Sequence, residues 1–381
     1  MLYAGPARDR SEEEQAVALA GRVFSPAAEN SDLTTERKRF FVLDHPGAGK
    51  DPAIVVSLPD KGVIGAAFLI DRVFPRGPAM IHGTFISSIC IDECVRGLGY
   101  SRTLMDAAIE ACTARGAVIA LVIARRAADH FYTRFGFWGI SQYSKLMVDT
   151  AAFSAAPTVG LHLRPAAAED LPACAALHDA TYRESFGHCL RDGQTWRYVL
   201  EKAACLHVRL SVVEKNGTVV GYAFHDEAGN VHELGTAGSA AARGALALLV
   251  DHNTGSSLLL HVSPNHPVIP ALDGMDITLS TRECPFGGHM VRVLDAASLA
   301  TVAERRIEQR ARLLGFAPQT ETVAGIHAAW DGQAAHLRVD GPVNSLAATA
   351  RLLGAACVSS FDGNLQLDPP ASFNISLVDQ S

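Results

Sequence analysis

The sequence predicts an α/β (α+β) protein built from two or three compact units around mixed sheets. Three observations carry that expectation. Strand-like and helix-like patterns alternate, most plainly where the apolar run Thr84–Ile91 leads into a glycine-rich turn and then a helical repeat. A similar order restarts after the Ala/Ser/Pro-rich connector AAFSAAPTVG at 151–160. Finally, 381 residues with 48% hydrophobic content exceed what a single core of ordinary size encloses.

The turn VRGLGYS at 95–101 separates the first strand from a run with Ser101, Leu104, Met105, Ala108, Ile109 and Cys112 at helical spacing, which predicts a helix over Ser101–Arg115. Gly97 and Gly99 lack a Cβ, so the chain can turn sharply and present successive N–H groups to an anion. The helix start adds unsatisfied donors and the positive dipole end, and Arg96 adds a full charge. Alone, such a turn is an ordinary strand-to-helix connection. Further on, VIALVIARRAADHFYTRFGFWGI predicts a buried strand over Val118–Ile123, a short helix over about Arg126–Arg134 and a second strand begun at Gly136.

Taken together, RGLGYS at 96–101 and FYTRFGF at 131–137 resemble the acyl-CoA signature of the Gcn5-related N-acetyltransferase superfamily. Arg96 and Gly99 match its first pattern, and Ser101 stands where Gly or Ala is usual. The resemblance implies acetyl-CoA as co-substrate. Its pyrophosphate would rest on Arg96, Gly97, Leu98, Gly99, Tyr100 and Ser101, and its pantetheine arm would run along the backbone of Ile89, Cys90 and Ile91. It also implies a proton donor at Tyr132: a phenol with a pKa of about 10 is protonated at neutral pH and can donate to a departing thiolate. The alternative for Tyr132 is a packed aromatic on a short helix.

After the connector, LHLRPAAAEDLPACAALHDATY predicts a strand and a helix entered near Asp170. Asn216-Gly217 marks a hairpin in VRLSVVEKNGTVVGYAFHD, and a helix follows over about Ser239–His252. The stretch GTAGSAAARGALALL lacks the Arg-x-x-Gly-x-Gly spacing, so this part is expected to be a degenerate copy without its own cofactor site. From about 288 the sequence predicts a strand (HMVRVLD), a long amphipathic helix (AASLATVAERRIEQRARLLG), a hairpin about Asp331-Gly332, a helix ending at Gly354 and a strand in NLQLD. This order resembles the Eis-like (enhanced intracellular survival) branch, with tandem acetyltransferase halves and a sterol-carrier-protein-like C-terminal domain. The expected units are 1–150, 160–287 and 288–381.

Within that branch the general base is the C-terminal carboxylate, which here would be the α-carboxylate of Ser381. Family members often end in an aromatic residue; this chain ends FNISLVDQS, with Phe373, Ile375 and Leu377 in alternation as for an extended, packed tail. A net charge of −7 without a basic stripe argues against nucleic acid and suits a small cationic amine acceptor, polyamine or aminoglycoside-like. Eight scattered cysteines without a CxxC pair fit a reduced cytoplasmic setting. No apolar stretch suggests a membrane span or leader. No metal is expected, since His82, His130 and His188 stand apart in sequence. Arg125 and Arg126 suit either cofactor phosphates or a solvated helix start. A homo-oligomer is expected from the resemblance alone. Two other classes stay open: a protein-lysine acetyltransferase, and a non-catalytic acyl-CoA sensor or apolar-ligand binder.

Overall fold

The computed structural model describes residues 1–24, 31–76, 79–125, 128, 130–139, 142–149, 151, 158, 160–183, 187–252, 257–262, 266–275 and 277–357. The chain opens with β1 (Tyr3–Pro6), α1 (Arg10–Phe24), α2 (Ser31–Val42), β2 (Ala53–Leu58), β3 (Gly62–Arg76), β4 (Ala79–Ile91), α3 (Tyr100–Ala114) and β5 (Ile119–Ala124). It continues through β6 (Trp138–Gly139), β7 (Gln142–Asp149), β8 (Leu161–Pro165), α4 (Leu171–Tyr182), α5 (Gly193–Cys205), β9 (Arg209–Lys215), β10 (Thr218–His225) and β11 (Asn230–Thr236). Then come α6 (Ser239–Asp251), β12 (Ser257–His261), α7 (Val268–Ala271), β13 (Ile277–Glu283), β14 (Gly288–Val293), α8 (Ala296–Leu314), β15 (Gln319–Val323), β16 (Ile326–Trp330), β17 (Ala335–Val339) and α9 (Leu346–Cys357).

These elements form two seven-stranded mixed sheets and one three-stranded antiparallel sheet, as the predicted α/β class requires. The first runs β1-β2-β3-β4-β5-β14-β6, and the second, read from its other edge, β8-β9-β10-β11-β12-β7-β13. The two orders correspond strand for strand, and in each the parallel pair is the fourth with the fifth. The sixth strands are exchanged. β7 leaves the first unit to pair with β12 in the second, and β14 returns to pair with β5 in the first.

The divisions expected at 150 and 288 therefore follow chain order, whereas sheet membership crosses both: 142–149 lies in the second sheet and 288–293 in the first. Local pattern cannot reveal this, because an apolar strand carries no mark of which edge it will pair. Smaller differences have local causes. β4 extends back to Ala79 because Ala79–Gly83 pair with Arg72–Arg76 of β3, and α9 passes through Gly354 to Cys357 instead of ending there. Asn216 and Gly217 take φ of 51° and 78°, the left-handed pair that a two-residue hairpin turn demands. The strand expected in NLQLD lies outside the described residues.

The alternation of β3 and β4 sorts their side chains into two cores. Ile64, Ala67, Leu69 and Ile86 face α3, where Leu104, Met105, Ala108 and Cys112 are buried. On the other face, Ala66, Phe68 and Cys90 meet Ala16, Val17 and Ala20 of α1, while Ile70, Phe74, Ile81 and Phe85 meet Leu299, Ala303 and Ile307 of α8. The α8 helix thus buries one sequence-distant face against the first sheet and closes over its own three strands, with Trp330 and Leu352 in the same core. No described helix is long and apolar enough to cross a membrane.

A chain ended at residue 150 would lack β14, whose Met290 and Val291 are fully buried. Such a fragment is expected to be aggregated or non-cooperatively folded, whereas the full chain unfolds cooperatively. Circular dichroism melts of the two checks this.

Candidate active site

β4 and β5 pair over Gly83–Phe85 and Ile119–Leu121 only, although β4 continues to Ile91 and β5 to Ala124. Beyond Phe85, the edge of β4 that faced β5 is no longer paired with it. A bulge follows the parting. Ala66 of β3 opposes Cys90 and Phe68 opposes Ser87, so β4 holds one more residue than its partner there. Ser88, inside the bulge, takes φ 51°, a left-handed conformation costly for a side-chain-bearing residue. Ile89 and Ile91 are half-buried and pack on the α3 side, whereas Cys90 is buried on the α1 side. Burial pushes the Cys90 thiol up to about 12, so it is a packing group and not a nucleophile.

β4 ends in a 3-10 turn, Glu93–Val95, capped by Asp92, whose side chain accepts from Cys94 N at 3.0 Å. That backbone hydrogen bond, with Arg22 nearby, holds the Asp92 carboxyl below its usual range. The turn buries Val95 and leaves Arg96, Gly97, Leu98 and Gly99 exposed. Arg96 folds back so that its Nε donates to Ile91 O at 3.4 Å. Gly97 and Gly99 have φ of 81° and 86°, which only glycine adopts cheaply, and a Cβ on either would meet nothing within 4 Å. The loop is therefore open on its outer side. Gly99 is the N-cap of α3 and supplies no side-chain cap. Among the described residues, the N–H groups of Gly97, Leu98, Gly99, Tyr100 and Ser101 have no acceptor. Five donors at a helix start form a ready cradle for an anion.

Where a short helix is predicted over 126–134, the described part is a 3-10 turn, Tyr132–Phe135, ended by Gly136 at φ 74°. Residues 126, 127 and 129 lie outside the described residues, Arg126 among them. Tyr132 is 7% exposed, with its ring edge-on to Phe131 at 5.0 Å. Burial pushes its phenol up to about 12. No described residue takes a hydrogen bond from it. Tyr132, Val95, Leu104 and Ala124 share one core, against which Ile89, Ile91 and Tyr100 pack. The fold thus brings the end of β4, the glycine loop and the tyrosine together. Ser381 lies outside the described residues.

Several residues escaped the sequence reading. Arg102, Arg134 and Arg292 line a cavity of about 370 Å³ that sits beside α3 and not over the loop. Arg102 falls three residues after Gly99 and could have been noticed; Arg292 arrives on the exchanged strand and carried no local signal. Lys38 of α2 donates to Ser88 Oγ at 2.9 Å, and its setting in TTERKRFF reads as a solvated charged face. Of His82, His130 and His188, only His188 joins a cluster, and its partner is a different histidine, His178. His178 Nδ1 and His188 Nε2 lie 3.7 and 3.2 Å from Asp179 Oδ1, and the three donors fall within 4.8 Å of one another. His82 and His130 are exposed, His130 stacking on Phe286.

Residues 24–137 match the model of the Acetyltransferase (GNAT) family, a span that contains both glycine loop and tyrosine. Solved structures share the wider fold. A GCN5-related N-acetyltransferase from Anabaena variabilis is similar with a TM-score of 0.68 at 13% identity, covering 97% of this chain and 100% of that one. One from Kribbella flavida gives 0.62 at 16% identity, covering 89% and 84%. Eis1 from Mycobacterium abscessus gives 0.58 at 16% identity, covering 93% and 90%. At these identities the likeness is one of fold. No curated protein matches the sequence.

Replacing Gly99 by Ala forces a Cβ into the left-handed region without any clash, so strain alone is tested. The expected loss is about 1 to 2 kcal/mol of stability, read from denaturant unfolding.

Proposed function

We propose that the first unit is an acetyl-CoA-dependent N-acetyltransferase acting on a primary amine. The observation that carries this is the run of open N–H groups at Gly97–Ser101, set beside the unpaired edge of β4 and in one core with Tyr132. These residues fit an acyl-CoA. The amides with Arg96 suit a pyrophosphate, and the freed edge at Ile89–Ile91 suits an extended amide-bearing arm that pairs like a strand. When bound, acetyl-CoA supplies an acetyl thioester, so that an N–C bond forms as the C–S bond breaks. Match of residues 24–137 to an acetyltransferase family supports the reading.

Tyr132 holds a proton at Oη for the departing thiolate. Its buried, apolar surroundings disfavour the phenolate, so the donor stays protonated at any physiological pH. An amine acceptor must also lose a proton, and the group expected to take it is the α-carboxylate of Ser381. Deleting Ser381 tests that assignment directly. The second unit serves as a scaffold: its counterpart loop ends at Gly238, the N-cap of α6, with Gly235 and not an arginine three residues before it. We assign α8, α9 and β15–β17, with the residues after them, to the sterol-carrier-like unit. A non-catalytic acyl-CoA sensor would have no use for a phenol that, among the described residues, has no hydrogen-bond partner and shares a core with Tyr100 at the start of α3, which favours the enzyme.

Thiol release from acetyl-CoA in the presence of amines tests the proposal. Tyr132→Phe is expected to lower kcat by roughly a hundredfold while calorimetric acetyl-CoA affinity is unchanged. Equal turnover by the variant would overturn the assignment. The pH profile gives a second check. Because the folded pKa is raised, the donor keeps its proton as pH rises, so kcat at saturating acceptor should not fall between about pH 9 and 11, where an ordinary phenol ionises.

A further inference from the structure

Lys38 is a largely buried cation with no carboxylate partner among the described residues. Lysines withdrawn from water normally bring a counter-charge with them, because an unpaired buried charge is costly. Here the ammonium donates to Ser88 Oγ at 2.9 Å and lies 5.0 Å from the centre of the Phe24 ring. Ser87 Oγ is 3.3 Å from Ser88 Oγ, so one ammonium and two hydroxyls gather at the bulge of β4. Burial pulls Lys38 down to about 8, and the like charges of Arg125 and Arg37 act in the same direction. The one nearby group that would offset this, the Cys90 thiol, is itself held protonated.

The position of this cluster gives it meaning. Ser87 opposes Phe68 and Cys90 opposes Ala66, and directly opposed residues point to the same face, here the one that meets α1. Ile86, Ile89 and Ile91 point to the other face, with α3 and Tyr132. Lys38 therefore stands across the sheet from Tyr132, at the place where β4 leaves β5. If the acyl donor lies along the loop and the tyrosine, an acceptor reaching the same point from the opposite face comes to the side on which Lys38 lies.

We infer that Lys38, with Ser87 and Ser88, binds a carboxylate on the acceptor, so that the acceptor is an amine carrying an acidic group, of amino-acid type, and not a polycation. This rests on the acetyl-transfer proposal above. An ammonium and two hydroxyls can all donate to an anion, and a carboxylate would provide a counter-charge that no described residue supplies. A polyamine would instead bring a second positive charge beside Lys38 in a poorly solvated place, where like charges repel strongly. The net charge of −7 acts at long range and does not decide which sign the site itself selects.

Matched acceptors test this: a panel of α-amino acids, the corresponding amino-acid amides, and spermidine, each with acetyl-CoA. The expected result is a kcat/KM for the acid forms at least roughly tenfold above the amides and spermidine, with that ratio lost in Lys38→Met through KM. Lys38→Glu should turn the preference toward spermidine. Lys38→Met keeps an apolar stem of similar size and removes an unpaired charge, so it is expected to fold; Ser88→Ala, which removes one hydroxyl, should lower the ratio in part and serves if it does not. Amides or spermidine used as well as the acids, no amino acid used at all, or a ratio unmoved in Lys38→Met, would each overturn the inference. Calorimetric binding of acetyl-CoA to the same samples separates the two proposals: binding retained without acid preference removes this one alone, whereas no binding removes both.

Discussion

The pairing of β14 with β5 is the contact on which the site depends. β5 is tied to β4 by three residue pairs, but to β14 by six, from Gly288–Ala124 to Val293–Ile119. A cleft can open between β4 and β5 only if β5 is held from its far side, and a strand more than 140 residues away in sequence does the holding. The same logic acts in the second sheet, where β11 and β12 share two pairs and β7 supports β12 along its full length. Reciprocal exchange makes each sheet a structural requirement of the other. Opening either edge would expose buried residues such as Met290 and Leu146.

The two units use this common topology differently. In the first, the bulge at Ser88 gathers Lys38 and two serine hydroxyls, and the open loop presents N–H groups without an acceptor among the described residues. In the second, β11 occupies the place of β4, and its Glu233 is buried in a double hydrogen bond with Arg191 at 2.9 and 2.6 Å, with Tyr222 donating at 2.7 Å. A satisfied network of that kind is rigid, and removing one partner would strand a buried charge at a cost of about 3 to 5 kcal/mol. The contrast is one of polar satisfaction: among the described residues, donors beside the parallel strands are open in the first unit and paired off within the protein in the second.

Much of the candidate site was legible because its local geometry is set by neighbouring residues. Gly97 and Gly99 must be glycine for backbone reasons, the helix after them is declared by its apolar spacing, and Tyr132 sits in a short aromatic segment. Lys38, Arg292 and the His178–Asp179–His188 group were not legible. Each acquires its meaning from a partner remote in sequence or from burial, and neither is visible in a local pattern.

By itself, the sequence determined the α/β class, the glycine loop and its helix, the hairpin at Asn216-Gly217 and the aromatic turn at Tyr132, all set by backbone preferences and by apolar periodicity within a few residues. Only the tertiary structure decided which sheet β7 and β14 join, where β4 parts from β5, and that a lysine without a carboxylate partner among the described residues stands across the sheet from the tyrosine. Strand pairing and charge burial are free energies of long-range contact, and no short stretch of chain contains both partners.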